Sequence, residues 1–125
     1  MINQIDKKYK EYFDQVFMLE ISEYCWNIYQ ALLNINKLLK RGGIFWLSTH
    51  FIYPVHNPIE CDSIRLTPYG VQKLLEETGF KIEEMKPRKM VGGKIKEGMI
   101  EEKMRPARDY DGHDWVGCIV KCRKI

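Results

Sequence analysis

Residues 35–67 read INKLLKRGGIFWLSTHFIYPVHNPIECDSIRLT. The stretch holds the end of a helical pattern, a Gly42-Gly43 turn, a short apolar run from Ile44 to Leu47, and a loop dense in His, Tyr, Pro, Asp and Arg. The apolar run, with Phe45 and Trp46 at its centre, reads as a central strand. In sheets built from alternating strands and helices, ligands gather just past the carboxyl ends of the strands. The loop from Thr49 to Leu66 is therefore where a site is expected.

Upstream of the turn, Ile28, Ala31, Leu32, Ile35, Leu38 and Leu39 recur at helical spacing and form one apolar face; Asn27, Gln30, Asn34 and Lys37 form the opposite face. Ser22 is the expected N-cap, with Glu23 near the positive end of the helix dipole. Lys40 and Arg41 complement the negative end, and Gly42 can take the left-handed conformation that closes a helix. Before the helix, FDQVFMLE (13–20) carries a nearly continuous apolar run from Val16 to Leu19, as expected of a strand covered on both faces. Strand, helix and strand in this order predict a right-handed crossover joining two parallel strands.

Downstream, Pro54 and Pro58 block helix continuation in the loop. Thr67-Pro68 opens a second helix, Thr as N-cap and Pro at the first helical position. Val71, Leu74 and Leu75 give its apolar face, and Gly79 closes it with Phe80 packing back. Lys81 to Met85 is a weaker strand, which Pro87 ends or places at an edge. Residues 86–114, with Gly92-Gly93, Gly98 and Gly112, are expected to form an irregular flap. Trp115 to Arg123 is the last strand, with Val116, Cys118 and Val120 on one face. The fold class is α/β: a partial Rossmann-like sheet of about four strands, mostly parallel with an antiparallel last strand, and helices packed on it. It forms a single truncated domain over 1–125, with a lead-in (1–12), a strand-helix-strand-helix-strand body (13–85), the flap, and the last strand (115–123).

Composition narrows the function classes. A chain of 125 residues supports one core, and 45% hydrophobic with 30% charged residues is ordinary for a globular protein. The net charge of +3 permits an anionic partner without predicting one. No apolar run reaches the length of a membrane span, and MINQIDKKYKEYF at the N-terminus has no apolar signal core, so a cytoplasmic protein with no membrane partner is expected. Cys25, Cys61, Cys118 and Cys122 form no C-x-x-C pair and read as reduced structural thiols. Residues 81–108 carry nine basic and five acidic residues but no aromatic, which suits a solvated flap and argues against a nucleic-acid groove.

Taken in order, Phe13-Asp14-Gln15-Val16, then Leu19-Glu20-Ile21-Ser22-Glu23-Tyr24, then Ala31-Leu32 with Ile35, then Leu38-Leu39-Lys40-Arg41-Gly42-Gly43 resembles the class I S-adenosylmethionine-dependent methyltransferases, from their fourth strand onward. The family typically reads FD-x-V, an apolar strand, an E-H pair, and A-L-x-x-I-x-x-L-L-K-P-G-G. The following Y-P-x-H-x-P, D-x-x-R-x-T and L-L-x-x-x-G-F resemble the substrate-side loop and next helix of a subgroup. The resemblance covers about residues 12–82 and, more weakly, the last strand. Two positions depart from the pattern: Tyr24 stands where the family has His, and Arg41 where it has Pro.

The resemblance implies methyl transfer from S-adenosylmethionine, by in-line displacement, to an acceptor that reads as a small molecule. It implies that Glu20 and Glu23 border the cofactor, and that Tyr24, His50, Tyr53, His56 and Arg65 line the acceptor pocket. His50 and His56 are the candidates for a catalytic base, since imidazole titrates near neutrality. Plainer readings stand beside these: Glu20 and Glu23 as a solvated helix start, Tyr24 as a wall, and Asp62 paired with Arg65 to hold the loop. No metal site is expected, because His50, His56, Cys61 and Asp62 match no recognised ligand spacing. The G-x-G-x-G loop with which the family cradles its cofactor does not occur before Phe13, and Gly42-Gly43 lies between helix and strand, the wrong order for such a loop. Two readings follow. One is a methyltransferase part that is not competent to bind the cofactor alone and is completed by a cofactor-binding chain or a second copy. The other is a non-catalytic interaction or dimerisation module, pairing through the strand at 15–20.

Overall fold

A computed structural model describes residues 5–88, 107–108 and 114–125. Strand β1 (Phe13–Leu19) leads through helix α1 (Ile28–Leu38) to β2 (Leu39–His50); helix α2 (Pro68–Glu77) leads to β3 (Phe80–Arg88). Two short strands, β4 (Ala107–Arg108) and β5 (Asp114–Trp115), pair with each other, and β6 (Gly117–Lys124) ends the fold. The main sheet has the order β1-β2-β6-β3. β1 runs parallel to β2, with Val16 opposite Phe45 and Leu19 opposite Ser48. β6 is antiparallel to both β2 and β3, so the last strand inserts between two strands that point the same way. The predicted sheet, mostly parallel with one antiparallel strand, is the one observed. Pro87 lies within β3, an edge strand, where its missing N–H costs no ladder bond on the open side.

Period-two alternation sorts the sheet into two faces. Met18, Phe45, Leu47, Cys118, Val120 and Cys122 face one way and pack against Leu32 of α1 and Val71 and Leu75 of α2, with Leu39 and Phe80 closing the cluster. Each large apolar side chain buried this way contributes about 1.5–3 kcal/mol of transfer free energy. Phe45 and Phe80 are in ring contact, with centroids 5.3 Å apart. Cys118 and Cys122 are free thiols on this buried face, as their spacing predicts; burial pushes their pKa values up to about 11 and about 12.

The other face differs from expectation. Phe17 and Leu19 of β1 are 61% and 50% exposed, where the apolar run predicts a strand covered on both sides. Both helices contribute to the core on the first face; on the second, the segment after β1 and the loop cover Ser48 and His50 at the end of β2, and among the described residues no helix covers the β1 side chains. Phe17 stacks on Trp46 there, with rings 6.3 Å apart and nearly parallel. The run Val16 to Leu19 is thus the sequence of a doubly covered strand with one cover absent from the described residues.

Two local corrections concern α1. The cap is Asn27, whose Oδ1 accepts from Gln30 N at 3.1 Å; Ser22 lies in a separate 3-10 turn, Ser22–Tyr24. The helix ends at Leu38, before Gly42, and β2 begins at once. Gly42 does take a left-handed φ of +71°, but inside an irregularity of β2, where the register jumps from Phe13 opposite Leu39 to Gln15 opposite Ile44. A glycine after a helical run signals left-handed backbone, and here a strand bulge uses it. The second helix follows its signals: Thr67 Oγ1 accepts from Gly70 N at 3.0 Å, Pro68 is the first helical residue, and Gly79 has φ +86°. The last strand starts at Gly117 and not at Trp115, which belongs to β5. A Cβ on Gly117 would stand 2.3 Å from the carbonyl oxygen of Thr49, so only glycine lets β6 approach the end of β2. Most of the expected flap, 86–114, lies outside the described residues. No helix among the described residues is long and apolar enough to cross a membrane.

Candidate functional site

The carboxyl ends of the parallel strands β1 and β2 lie side by side, and a polar cluster sits there. Glu20, the first residue after β1, has φ +54°, an uncommon conformation for a non-glycine residue. Its backbone N–H donates to the Ser48 carbonyl at 3.1 Å, which fixes the strand end. Its carboxylate then collects three groups. Ser48 Oγ donates to Oε1 at 2.7 Å, an Arg88 guanidinium nitrogen donates to Oε1 at 2.5 Å, and His50 Nδ1 lies 2.9 Å from Oε2. Burial opposes ionisation of Glu20, but the hydrogen bonds from Ser48, His50 and Arg88 outweigh it and hold the carboxyl below its ordinary value. Ser48 and His50 share the second face of β2, two residues apart, and Arg88 ends β3 on the far side of β6. Neither Ser48 nor Arg88 was singled out by the sequence pattern.

A second group lies beneath the loop. Glu23, in the 3-10 turn after β1, is 2% exposed. Its carbonyl oxygen accepts from Ser63 N at 2.9 Å, Ile64 N at 3.3 Å and Ser63 Oγ at 3.2 Å, which straps the loop onto the turn. Its Oε1 lies 3.5 Å from His56 Nε2 and 3.9 Å from His50 Nε2, both beyond hydrogen-bond length. Neither carboxylate oxygen of Glu23, nor Nε2 of His50 or of His56, has a hydrogen-bond partner among the described residues.

The loop itself is held by Asp62 and Arg65. Arg65 donates through both terminal nitrogens to Asp62, the NH2 contact being 2.8 Å, and also to the carbonyls of Ile64 at 2.9 Å and Pro54 at 3.3 Å. Asp62 Oδ2 also accepts from His56 N at 2.8 Å. Hydrogen bonding from Arg65, working against burial, holds the Asp62 carboxyl well below the usual carboxylate range. Arg65 is thus engaged within the loop. Tyr24 OH donates to the Asn57 carbonyl at 3.1 Å and lies 2.9 Å from His56 Nδ1. Burial, with the Glu23 and Asp62 charges nearby, raises the phenol's pKa.

The structure therefore brings together Glu20, Glu23, Tyr24, His50, Tyr53 and His56. The rings of His50 and Tyr53 are 4.7 Å apart, those of His50 and His56 5.4 Å, and those of Tyr53 and His56 5.5 Å. Tyr53 is half exposed and forms the outer lip; His50 lies at the floor. For S-adenosylmethionine the fit is one-sided. The described residues include no glycine loop opening a helix, Gly42 and Gly43 lie in a strand, and the Glu20 carboxylate is already occupied by three partners. The described residues do not cradle that cofactor by themselves.

The fold is that of S-adenosylmethionine-dependent methyltransferases. A methyltransferase of this kind from Methanosarcina mazei superposes with a TM-score of 0.62 at 11% identity, over 94% of this chain and 61% of its own. One from Mesorhizobium loti gives 0.64 at 15% identity, over 92% of this chain and 63% of its own. A Bacillus halodurans protein provisionally assigned as a methyltransferase gives 0.66 at 17%, over 98% and 68%. The chain thus spans about two thirds of the length of these proteins. At such identities the likeness shows the fold alone. No protein-family model matches the sequence, and no curated protein matches it either.

Proposed function

We propose that these residues form the acceptor-side part of an S-adenosylmethionine-dependent methyltransferase, with the cofactor-binding part supplied from outside them. The observation that carries this reading is the position of the polar cluster at the adjacent carboxyl ends of β1 and β2, where ligands bind in open α/β sheets. The fold supports it, and so does the exposed outer edge of β1, where the methyltransferase sheet continues with its cofactor-binding strands. In this reading Glu20 and Glu23 border the cofactor. Tyr24, Tyr53 and the two imidazoles line the acceptor pocket, and Arg65 supports the loop through Asp62. In this reading His50 and His56 are the candidates for a base toward an acceptor hydroxyl or amine. The ring-lined, mixed-polarity loop suits a small-molecule acceptor.

The test is reconstitution. The glycine-loop half of a structurally similar methyltransferase, fused ahead of Tyr12, is expected to create saturable S-adenosylmethionine binding that neither part has alone. A fusion that melts in one cooperative step yet binds no S-adenosylmethionine contradicts the reading.

A second reading, a non-catalytic module that self-associates, is favoured by one feature: β1 is an edge strand whose Phe17 and Leu19 are exposed. Parallel edges of this kind are normally covered.

A further inference from the structure

We infer that Glu23, His50 and His56 form a binding site for a divalent transition-metal ion of the zinc class. Their candidate ligand atoms, a Glu23 carboxylate oxygen and the two Nε2 atoms, lie within 4.8 Å of one another. Two ligands on one zinc ion, each about 2.1 Å from it at a tetrahedral angle, stand about 3.4 Å apart. The carboxylate-to-imidazole separations of 3.5 and 3.9 Å are close to that spacing and too long for hydrogen bonds.

The tautomers point the same way. His50 Nδ1 faces the Glu20 carboxylate, which only accepts, so Nδ1 carries the proton. His56 Nδ1 has the Tyr24 hydroxyl at 2.9 Å and the Asn57 carbonyl at 3.2 Å; with its proton on Nδ1 the ring donates to that carbonyl and leaves Nε2 free to ligate. With the ring protons on Nδ1, each imidazole turns an Nε2 lone pair toward the Glu23 carboxylate. Three electron-rich groups converge, two of them more than nine-tenths buried, and none has a donor among the described residues. Buried polar atoms left this way are costly. A divalent cation satisfies all three at once.

The surroundings match those of metal sites. Ligating histidines usually donate their second nitrogen to a carboxylate or a backbone carbonyl, which fixes ring orientation and raises basicity. Glu20 does this for His50, anchored in turn by Ser48 and Arg88; the Asn57 carbonyl, with Tyr24 OH beside it, offers His56 the same kind of acceptor. Two imidazoles and one carboxylate leave a fourth position for an exogenous ligand, as in catalytic zinc sites. The site departs from the expectation of no metal because its carboxylate lies 27 residues before the first histidine, a spacing no linear motif encodes. The inference does not rest on the methyltransferase reading, but it competes with the base role given there to His50 and His56. A bound ion occupies the same lone pairs that would serve as base, so the ligand and base roles exclude each other.

The test is calorimetric titration of zinc chloride into the chelator-stripped chain. One ion per chain is expected, with a rise in melting temperature. Glu23→Gln, His50→Ala and His56→Ala are expected to weaken binding at least about 100-fold, and Glu20→Gln about tenfold through the orienting bond. Cys61→Ser, a change at an exposed thiol outside the cluster, should leave binding intact. Each variant's far-UV circular dichroism and melt are compared with the parent to separate lost ligation from lost folding. Absence of saturable uptake by the folded wild-type chain overturns the inference. So does uptake that persists in folded His56→Ala, or that Cys61→Ser abolishes.

Discussion

Glu20 Oε2 stands 2.9 Å from His50 Nδ1, joining the end of β1 to the end of β2 across the parallel pair. Because Oε1 of the same carboxylate accepts from Ser48 and Arg88, one side chain ties together three of the four strands of the sheet. Glu20→Gln keeps the shape but removes the charge facing Arg88. With a carboxylate more than a third exposed, solvent screening lowers the cost, and the expected loss is about 1 kcal/mol. Urea unfolding at pH 7 measures it; an unchanged midpoint would mean that the cluster contributes nothing to stability.

Acid should destabilise the fold in a defined window. The native carboxyls of Glu20 and Asp62 both lie below their unfolded values, so the native state binds fewer protons than the unfolded chain at intermediate pH. Their contribution is complete above the unfolded values, about pH 4, and is lost as pH falls through the native ones. Urea midpoints should fall from about pH 4 downward to about pH 2, and Asp62→Asn should flatten that fall. An equal slope in the variant would show that the Asp62–Arg65 pair is not the source.

On the second functional reading, the β1 edge pairs with a second copy. Phe17→Lys tests this more cleanly than Val16→Lys, because Phe17 is exposed whereas Val16 packs against the core. Light scattering should then report twice the chain mass for the parent and a single chain mass for Phe17→Lys, with little change in melting temperature. The same mass in both proteins counts against pairing through β1.

Much of the scaffold is legible in local chemistry. Thr67-Pro68 and Gly79 bound α2 because capping is decided within a few residues, and the Cys118/Cys122 spacing gives a strand face because the period is two. The start of α1 misleads for a physical reason: Ser22 and Asn27 are both good caps, and the choice depends on Glu23 being drawn under the loop by Ser63 and Ile64, 40 and 41 residues away. Gly42 announces left-handed backbone, but local sequence does not distinguish a helix end from a strand bulge. In the site, the residue types of the loop are visible as a cluster of His, Tyr and Asp. Their convergence on Glu23, and the arrival of Arg88 at Glu20, are set by sheet order, which places β6 between β2 and β3. No short window of sequence carries that information.

The most direct test of the account is calorimetric titration of S-adenosylmethionine into the chain as it stands. The described residues hold no glycine loop opening a helix, so no saturable binding at micromolar concentrations is expected. Saturable micromolar binding, one per chain, would contradict it and make this sequence a cofactor-binding unit in its own right.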